Sequence, residues 1–257
     1  MTPEAFPGCH VVERRREAEA LADLATGAVD VVVIGPTTST SRVINLAHQA
    51  RELQPGVRVI VVAQDIDRSD IVAALRSDVY AVFALPVAAD DLRSAILRAL
   101  DDEQWQSGIL VESALPDWIA LRVSCRRVNA ERLTQFMSEL AGDLPATDRH
   151  RLVTAFREVL LNAMEHGAGF DPGKVVEVHA VRTDRALLYY FKDPGPGFDA
   201  RAPRMVASEG DPLTHLDERA THGRRAGGFG LLLTSKLVDE VHFSEKGNEV
   251  LLVKHLD

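Results

Sequence analysis

The apolar pattern of the chain changes character near residue 100, and this change constrains the fold more than any other feature. Before that point, three short continuous apolar runs, at residues 30–34, 57–62 and 79–85, alternate with amphipathic helical patterns. Continuous apolar runs of this length are typical of parallel strands that helices cover on both faces. Residues 1–101 are therefore predicted to form a flavodoxin-like α/β domain with a parallel sheet.

Residues 118–257 follow a different rhythm, in which strands are grouped apart from helices. Such grouping predicts an α+β domain, an antiparallel-rich sheet under a helical layer. The expected strands lie at residues 118–125, 174–182, 185–192, 240–244 and 249–256, and the expected helices at 129–144, 146–167 and 229–239. Between the two halves, residues 102–117 carry acidic residues, Gly and Pro without a sustained period, and we assign them as a linker.

Composition excludes several classes of function. The 257 residues carry 29 Lys and Arg against 38 Asp and Glu, a net charge of −9, whereas direct nucleic-acid binding needs a basic surface. No apolar stretch approaches the roughly 20 residues of a membrane span, and residues 1–10 lack the pattern of a secretory signal. Cys9 and Cys125 form neither a disulfide framework nor a metal motif. We therefore expect a cytoplasmic protein that binds neither nucleic acid directly nor a membrane.

The helix predicted over residues 146–167 carries a polar stripe beside its apolar one. Because positions i and i+4 share a helix face, the polar residues Glu158, Asn162, Glu165 and His166 are expected to line up. The apolar positions beside them are Leu152, Phe156, Val159, Leu160 and Ala163. A carboxylate and a carboxamide one turn apart offer oxygen ligands to a hard cation. A solvated face of an amphipathic helix is the alternative interpretation.

Two glycine-bearing motifs follow. Asp193 ends a predicted strand, with Gly195 and Gly197 just behind it. Glycines there let the backbone approach a planar ligand while the carboxylate accepts a hydrogen bond from it, although an ordinary turn also fits. Gly228 and Gly230 open a later helix, whose free N–H groups favour phosphate. Basic residues stand just upstream of that helix, namely Arg219, His222, Arg224 and Arg225.

Together, and in this order, the three motifs resemble the GHKL, or Bergerat-fold, ATPase domain shared by histidine kinases, gyrase and the anti-sigma-factor serine kinases. The N box of that family is matched by Glu158 and Asn162, with residues 165–167 flanking them. Its D-x-G-x-G motif is matched by Asp193, Gly195 and Gly197, and its G-x-G motif by Gly228 and Gly230. The resemblance covers residues 118–257 and implies a Bergerat-fold α/β sandwich.

The resemblance also implies the cofactors, ATP and Mg²⁺, and the residues that hold them. Asn162 is the implied Mg²⁺ ligand, Asp193 the partner of the adenine amine, and Glu158 the catalytic residue that orients or deprotonates the attacking hydroxyl. The glycines and a lid at residues 199–226 surround the phosphates. The full set of implied nucleotide-binding residues is Asn162, His166, Asp193, Gly195, Gly197, Phe198, Arg225, Gly228, Gly230 and Leu231.

Within the superfamily, the second half is most similar to anti-sigma-factor serine/threonine kinases of the RsbW/SpoIIAB type. It opens with a strand and two helices, and it ends in a similar pair of strands. This resemblance implies protein partners, a sigma factor and/or an anti-anti-sigma antagonist of the STAS type, and a possible homodimer. Two alternatives are a non-catalytic module whose partner binding is gated by nucleotide, and a histidine-kinase-like ATPase that only hydrolyses ATP.

The first half resembles a response-regulator receiver domain that lacks its first strand and helix, with residues 9–12 in place of the second strand. Where receivers carry the phosphorylated Asp, a hydroxyl residue and a Lys, this sequence has Gly35, Ala63 and Leu85. Phosphoryl transfer to Asp needs the nucleophile, a metal and a cation. The resemblance therefore implies a degenerate receiver-like domain that serves for contacts, and an unrelated flavodoxin-like unit is the alternative.

Overall fold

A computed structural model describes residues 6, 8–36, 40–105, 108–197 and 230–256. The chain divides into two compact units, Met1–Gln106 and Ser107–Asp257. Across the described ranges, no helix is both long enough and apolar enough to cross a membrane.

The first unit is a three-stranded parallel sheet with helices between its strands, as the sequence predicts. Its elements are α1 (Glu17–Leu24), β1 (Val31–Ile34), α2 (Thr40–Leu53), β2 (Arg58–Ala63), α3 (Arg68–Arg76), β3 (Ala81–Ala84) and α4 (Ala89–Asp101). The strands lie in the order β1-β2-β3, with Val31 opposite Arg58 and Ile60 opposite Ala81. The central strand β2 is buried along almost its whole length, which is why its sequence reads as a continuous apolar run.

Residues 9–12 do not form the strand predicted for them. They are irregular, and Val11 and Val12 are 42% and 45% exposed. A strand of a covered parallel sheet needs a run that is buried on both faces. Two exposed valines that lead into the charged residues 13–17 do not supply one.

The second unit is a six-stranded antiparallel sheet with a helical layer, which confirms the predicted class. It contains β4 (Ile109–Leu115), β5 (Trp118–Ser124), α5 (Arg127–Leu140), α6 (Ala146–Asn162), a π-helical turn (Ala163–Gly167), β6 (Val175–Arg182), β7 (Ala186–Lys192), α7 (Gly230–Leu237), β8 (Glu240–Phe243) and β9 (Glu249–His255). The strand order is β4-β5-β6-β7-β9-β8. Phe156 of α6 contacts the rings of Tyr189 and Phe191 at 5.2 and 4.9 Å between centroids, so α6 covers the centre of the sheet.

The stretch predicted to be a linker contributes residues to both units. Asp102 and Trp105 are buried in the first unit, where the Trp105 ring meets Tyr80 edge-on at 6.2 Å. Ile109–Leu115 forms β4, the strand at one edge of the second sheet. Its register shifts between Val111 and Ser113, and such a bulge breaks the alternation by which a strand is recognised in a sequence.

Candidate functional site

Helix α6 presents the predicted polar stripe beside a fully apolar face. Leu152, Phe156, Val159 and Leu160 are all buried against the rest of the unit. Glu158 and Asn162, one turn apart, are only partly buried. The structure thus places a carboxylate and a carboxamide one turn apart at the surface of the helix that packs on the sheet.

Glu158 has a cationic neighbour that is itself held in place. The Arg157 guanidinium donates a 2.6 Å hydrogen bond to Glu131 on α5, and this bond raises the pKa of Arg157. The same guanidinium lies 3.6 Å from the Glu158 carboxylate. Because one ion pair spans α5 and α6, the positive charge beside Glu158 is part of the helix packing.

After Asn162 the helix widens into a π-helical turn at Ala163–Gly167. Turns of this kind are rare and often occur at functional sites. The regular spacing that placed Glu165 and His166 on the same stripe does not hold within it. Glu165 is partly buried and His166 is exposed, so the described geometry brings Glu158 and Asn162 together and leaves His166 at the surface.

The wider turn brings Gly167 directly against the end of β7. A Cβ atom on Gly167 would collide with the Asp193 carboxylate, and one on Gly195 would lie 2.7 Å from the Asp193 Oδ1 atom. Real side chains do not tolerate such contacts, so both positions require glycine. The first two motifs, 26 residues apart in the chain between Gly167 and Asp193, therefore meet at one point.

The Asp193 carboxylate is partly buried at this point. Burial raises its pKa, and the opposing effects of the Gly195 N–H and of Lys246 do not cancel the rise. The Gly195 N–H donates to Oδ1 at 2.7 Å. Within the part of the chain that the structure describes, this carboxylate accepts no other hydrogen bond. The second oxygen is therefore suited to accept a hydrogen bond from an amino group on a ligand.

The turn between β8 and β9 also contacts Asp193. The sequence did not predict this contact. The Asp193 N–H donates to the Asn248 carbonyl at 3.0 Å, and the Asn248 side chain donates to the Asp193 carbonyl at 3.3 Å. Gly197 has a φ of +78° and would collide with the Lys246 carbonyl if it had a Cβ atom. The sequence signals the turn at residues 246–248, but not its pairing with Asp193.

The third motif is described only in part. Gly230 and Leu231 begin α7, and this helix packs on α6. Phe198, Arg225, Gly228 and the predicted lid at residues 199–226 lie outside the described residues. The helix that follows the glycine-rich motif therefore lies beside the helix that carries Glu158 and Asn162.

These elements are the parts of a known domain. A sequence model of the histidine kinase-like ATPase domain matches residues 123–254, just over half of the chain. The chain belongs to the histidine kinase-like ATPase family. The match begins in β5 and ends in β9, so it covers all three motifs of the second unit. No curated protein sequence matches the chain. Membership supports an ATP-binding regulatory function at the level of this superfamily.

The residues present fit the ligands that the family binds. Mg²⁺ uses oxygen ligands and usually keeps several waters and substrate phosphates, so it needs only one or two protein groups. Asn162 offers such a group on the face of α6 that also carries Glu158, and among the described residues no cluster of three His, Cys, Asp or Glu forms a closed metal cage. At Asp193, one carboxylate oxygen takes the Gly195 N–H, and the other can accept a hydrogen bond from an amino group of the base.

Proposed function

We propose that the second unit is an ATP-dependent protein serine/threonine kinase of the anti-sigma-factor type. The observation that carries this proposal is the pairing of two sites on one helix. Glu158 and Asn162 lie one turn apart on α6, and the π-helical turn that follows them presses Gly167 against the Asp193 carboxylate. A carboxylate for the attacking hydroxyl thus stands on the same element that shapes the adenine site.

Each residue has a distinct task in this proposal. Asp193 accepts a hydrogen bond from the adenine amino group, and Asn162 supplies an oxygen ligand to Mg²⁺. When bound, Mg²⁺ neutralises charge on the phosphate oxygens. Glu158 accepts the proton of the serine or threonine hydroxyl as its oxygen attacks the γ-phosphorus and the bond to ADP breaks. Arg157, tied to Glu131, keeps the Glu158 carboxylate in place.

The partners follow from the same proposal. The phosphorylated protein is an antagonist of the anti-anti-sigma STAS type, and a sigma factor is the protein that the kinase sequesters, with a homodimer as the form that binds it. An acidic chain with net charge −9 fits a cytoplasmic regulator that contacts proteins rather than nucleic acid.

Capture from cell extract tests the activity and separates the alternatives. The full chain is immobilised with Mg²⁺ and either ATP or ADP, and captured proteins are mapped for phosphorylated serine and threonine. We expect one partner that gains a phosphate with wild-type protein and none with Glu158→Gln. Partner capture that depends on ATP without any phosphate transfer would support a gated binding module instead. Release of free phosphate without a modified partner would indicate a hydrolase.

For the first unit, we propose a degenerate receiver-like domain that makes contacts and accepts no phosphate. Three parallel strands support this assignment. The residues at or just after their carboxyl ends, Gly35, Ala63 and Leu85, lack a nucleophile and a cation. The chain is incubated with acetyl phosphate and Mg²⁺, and its intact mass is measured. We expect no added phosphoryl group on the first unit. A stoichiometric adduct would overturn the proposal.

A further inference from the structure

The loop after the π-helical turn holds a bulky residue in an unfavourable backbone conformation. Gly169 and Phe170 have φ values of +68° and +54°. The first is an ordinary glycine at a helix end. For an aromatic residue, a left-handed conformation is rare, because Cβ approaches the carbonyl oxygen too closely. Residues in such conformations cluster at functional sites, where the surrounding structure holds them.

Two kinds of contact hold Phe170 in this conformation. Its N–H donates to the Met164 carbonyl at 2.8 Å, while the Gly169 N–H donates to the Glu165 carbonyl at 3.0 Å. These bonds close the end of the π-helical turn. On the other side, the Arg127 guanidinium lies over the Phe170 ring, 4.2 Å from its centroid. Arg127 is the first residue of α5, so the stack joins two elements.

The C-terminal end of the same loop is hydrogen-bonded to the segment just before α5. The Cys125 N–H donates to the Lys174 carbonyl at 3.1 Å, two residues before Arg127. Within the loop, the Asp171 carboxylate accepts a 2.9 Å hydrogen bond from the Gly173 N–H. The loop therefore has one attachment at Lys174 and a second at Phe170, where the backbone bonds to Met164 and the ring stacks with Arg127.

The side-chain attachment lies three residues from the point that touches Asp193. Gly167 lies so close to the Asp193 carboxylate that an added Cβ atom would collide with it, and a shift of this backbone away from Asp193 would open the site. We propose that Arg127 and Phe170 are positioning residues, whose stack holds the Gly167 backbone against Asp193 and so shapes the adenine site. This inference rests on the adenine-binding role of Asp193 under the proposed function.

A second role for Arg127 predicts a different result. The residue is exposed, and an exposed cation can also act by attracting the phosphates rather than by stacking. A charge that acts on phosphate affects ATP but not adenosine, which has no phosphate. A stack that shapes the adenine site affects both ligands by the same factor.

The experiment therefore compares ATP and adenosine in variants of both partners. Arg127→Lys keeps the charge but loses the planar stack, and Phe170→Gly keeps the left-handed backbone but loses the ring. Titration of ATP by calorimetry and of adenosine by ligand-observed NMR should show a loss of about two- to fivefold for each variant, as expected for an exposed cation–π contact. The double variant should lose no more than the worse single variant.

Controls make the outcomes distinct. Arg122→Lys alters an exposed arginine that pairs with Glu112 at 4.0 Å, and it should leave both affinities unchanged. Wild-type adenosine affinity in Arg127→Lys and Phe170→Gly would overturn the inference, as would a loss confined to ATP. If Asp193→Asn also binds both ligands normally, the adenine assignment has failed. If Asp193→Asn loses binding while the stacking variants keep it, the positioning inference alone has failed.

Discussion

Each unit of the molecule has an aspartate beyond the end of a strand, and the two carboxylates have different roles. In the first unit, Asp67 follows β2 by four residues and accepts a 2.8 Å hydrogen bond from the Asp70 N–H as the N-cap of α3. In the second unit, Asp193 directly follows β7 and accepts a 2.7 Å hydrogen bond from the Gly195 N–H. The local hydrogen bonds are nearly the same, so they do not distinguish a structural aspartate from a binding one.

The surroundings make the distinction. Asp67 is exposed, and its N–H donates a 3.3 Å hydrogen bond to the Asp70 carboxylate, so both its backbone and its side chain cap the helix. Asp193 is partly buried, its pKa is raised by burial, and two glycines press bare backbone against it. A charge held in unfavourable surroundings costs stability, and proteins retain such costs where function needs them. The following predictions test this contrast, from the largest expected effect to the smallest.

The largest effect should come from Glu158. Glu158→Gln removes the proton acceptor but leaves the Mg²⁺ and adenine groups, so phosphoryl transfer or hydrolysis should fall by about 10²–10⁴. Because that interaction matters mainly in the transition state, ATP affinity by calorimetry should stay within a few-fold of wild type. Asn162→Ala should lose both affinity and turnover. The opposite pattern, with binding lost only in Glu158→Gln, would show that the two roles are exchanged.

Gly167→Ala should disrupt the meeting point of the first two motifs. The added methyl group collides with the Asp193 carboxylate, and overpacking of this kind costs about 1–3 kcal/mol of unfolding free energy. ATP binding should be lost with it, as measured by calorimetry and by urea unfolding. Gly56→Ala is the matched control, since nothing lies within 4 Å of its added Cβ. Normal binding in Gly167→Ala would mean that Gly167 does not border the ligand.

Substitutions of the two aspartates should have opposite effects on ATP affinity and on stability. Asp193→Asn removes a charged acceptor worth about 1.5–3 kcal/mol to the ligand, so ATP affinity should fall at least tenfold while the thermal unfolding midpoint is kept or rises. Asp67→Ala removes a helix cap, so the free energy of unfolding should fall by about 1 kcal/mol while ATP affinity is unchanged. A lower midpoint in Asp193→Asn would identify Asp193 as a structural residue like Asp67.

The smallest effect is a pH dependence of ATP binding. Burial raises the folded-state pKa of Asp193 above its ordinary value. The free energy of unfolding therefore falls as pH rises through that pKa and the carboxyl ionises. The ionised form is the acceptor, so ATP affinity should weaken as pH is lowered through the same raised pKa. ATP binding by Asp193→Asn should not show this pH dependence. Any pH dependence that remains in the variant measures protonation of the ligand itself. Identical pH profiles in the two proteins would contradict the assignment.

Local patterns predicted much of the fold, because they depend on neighbours within a few residues. The strands β6 and β7 begin and end within one residue of their predicted limits. The strand β4 was missed because its bulge beside Glu112 interrupts the alternation. The burial of Trp105 was missed because one aromatic residue in a polar stretch has no period.

The site itself could be predicted only as residue types. The order of the motifs indicated Glu158, Asn162 and Asp193, but their placement depends on contacts between distant parts of the chain. The π-helical turn at Ala163–Gly167 has no signature in a helical pattern of period 3.6. The roles of Asn248 and Lys246 depend on the pairing of β9 with β7, which no local pattern specifies.

The position of β9 also bears on when the protein becomes able to bind nucleotide during its synthesis. Although β9 comes after β8 in the chain, it lies inside the sheet, between β7 and β8. A nascent chain that ends before Asn248 thus has Asp193 at a bare sheet edge, without its two hydrogen bonds with Asn248. Long-range pairings of this kind form late. Ribosome-bound chains should therefore acquire ATP binding only after β9 has left the exit tunnel.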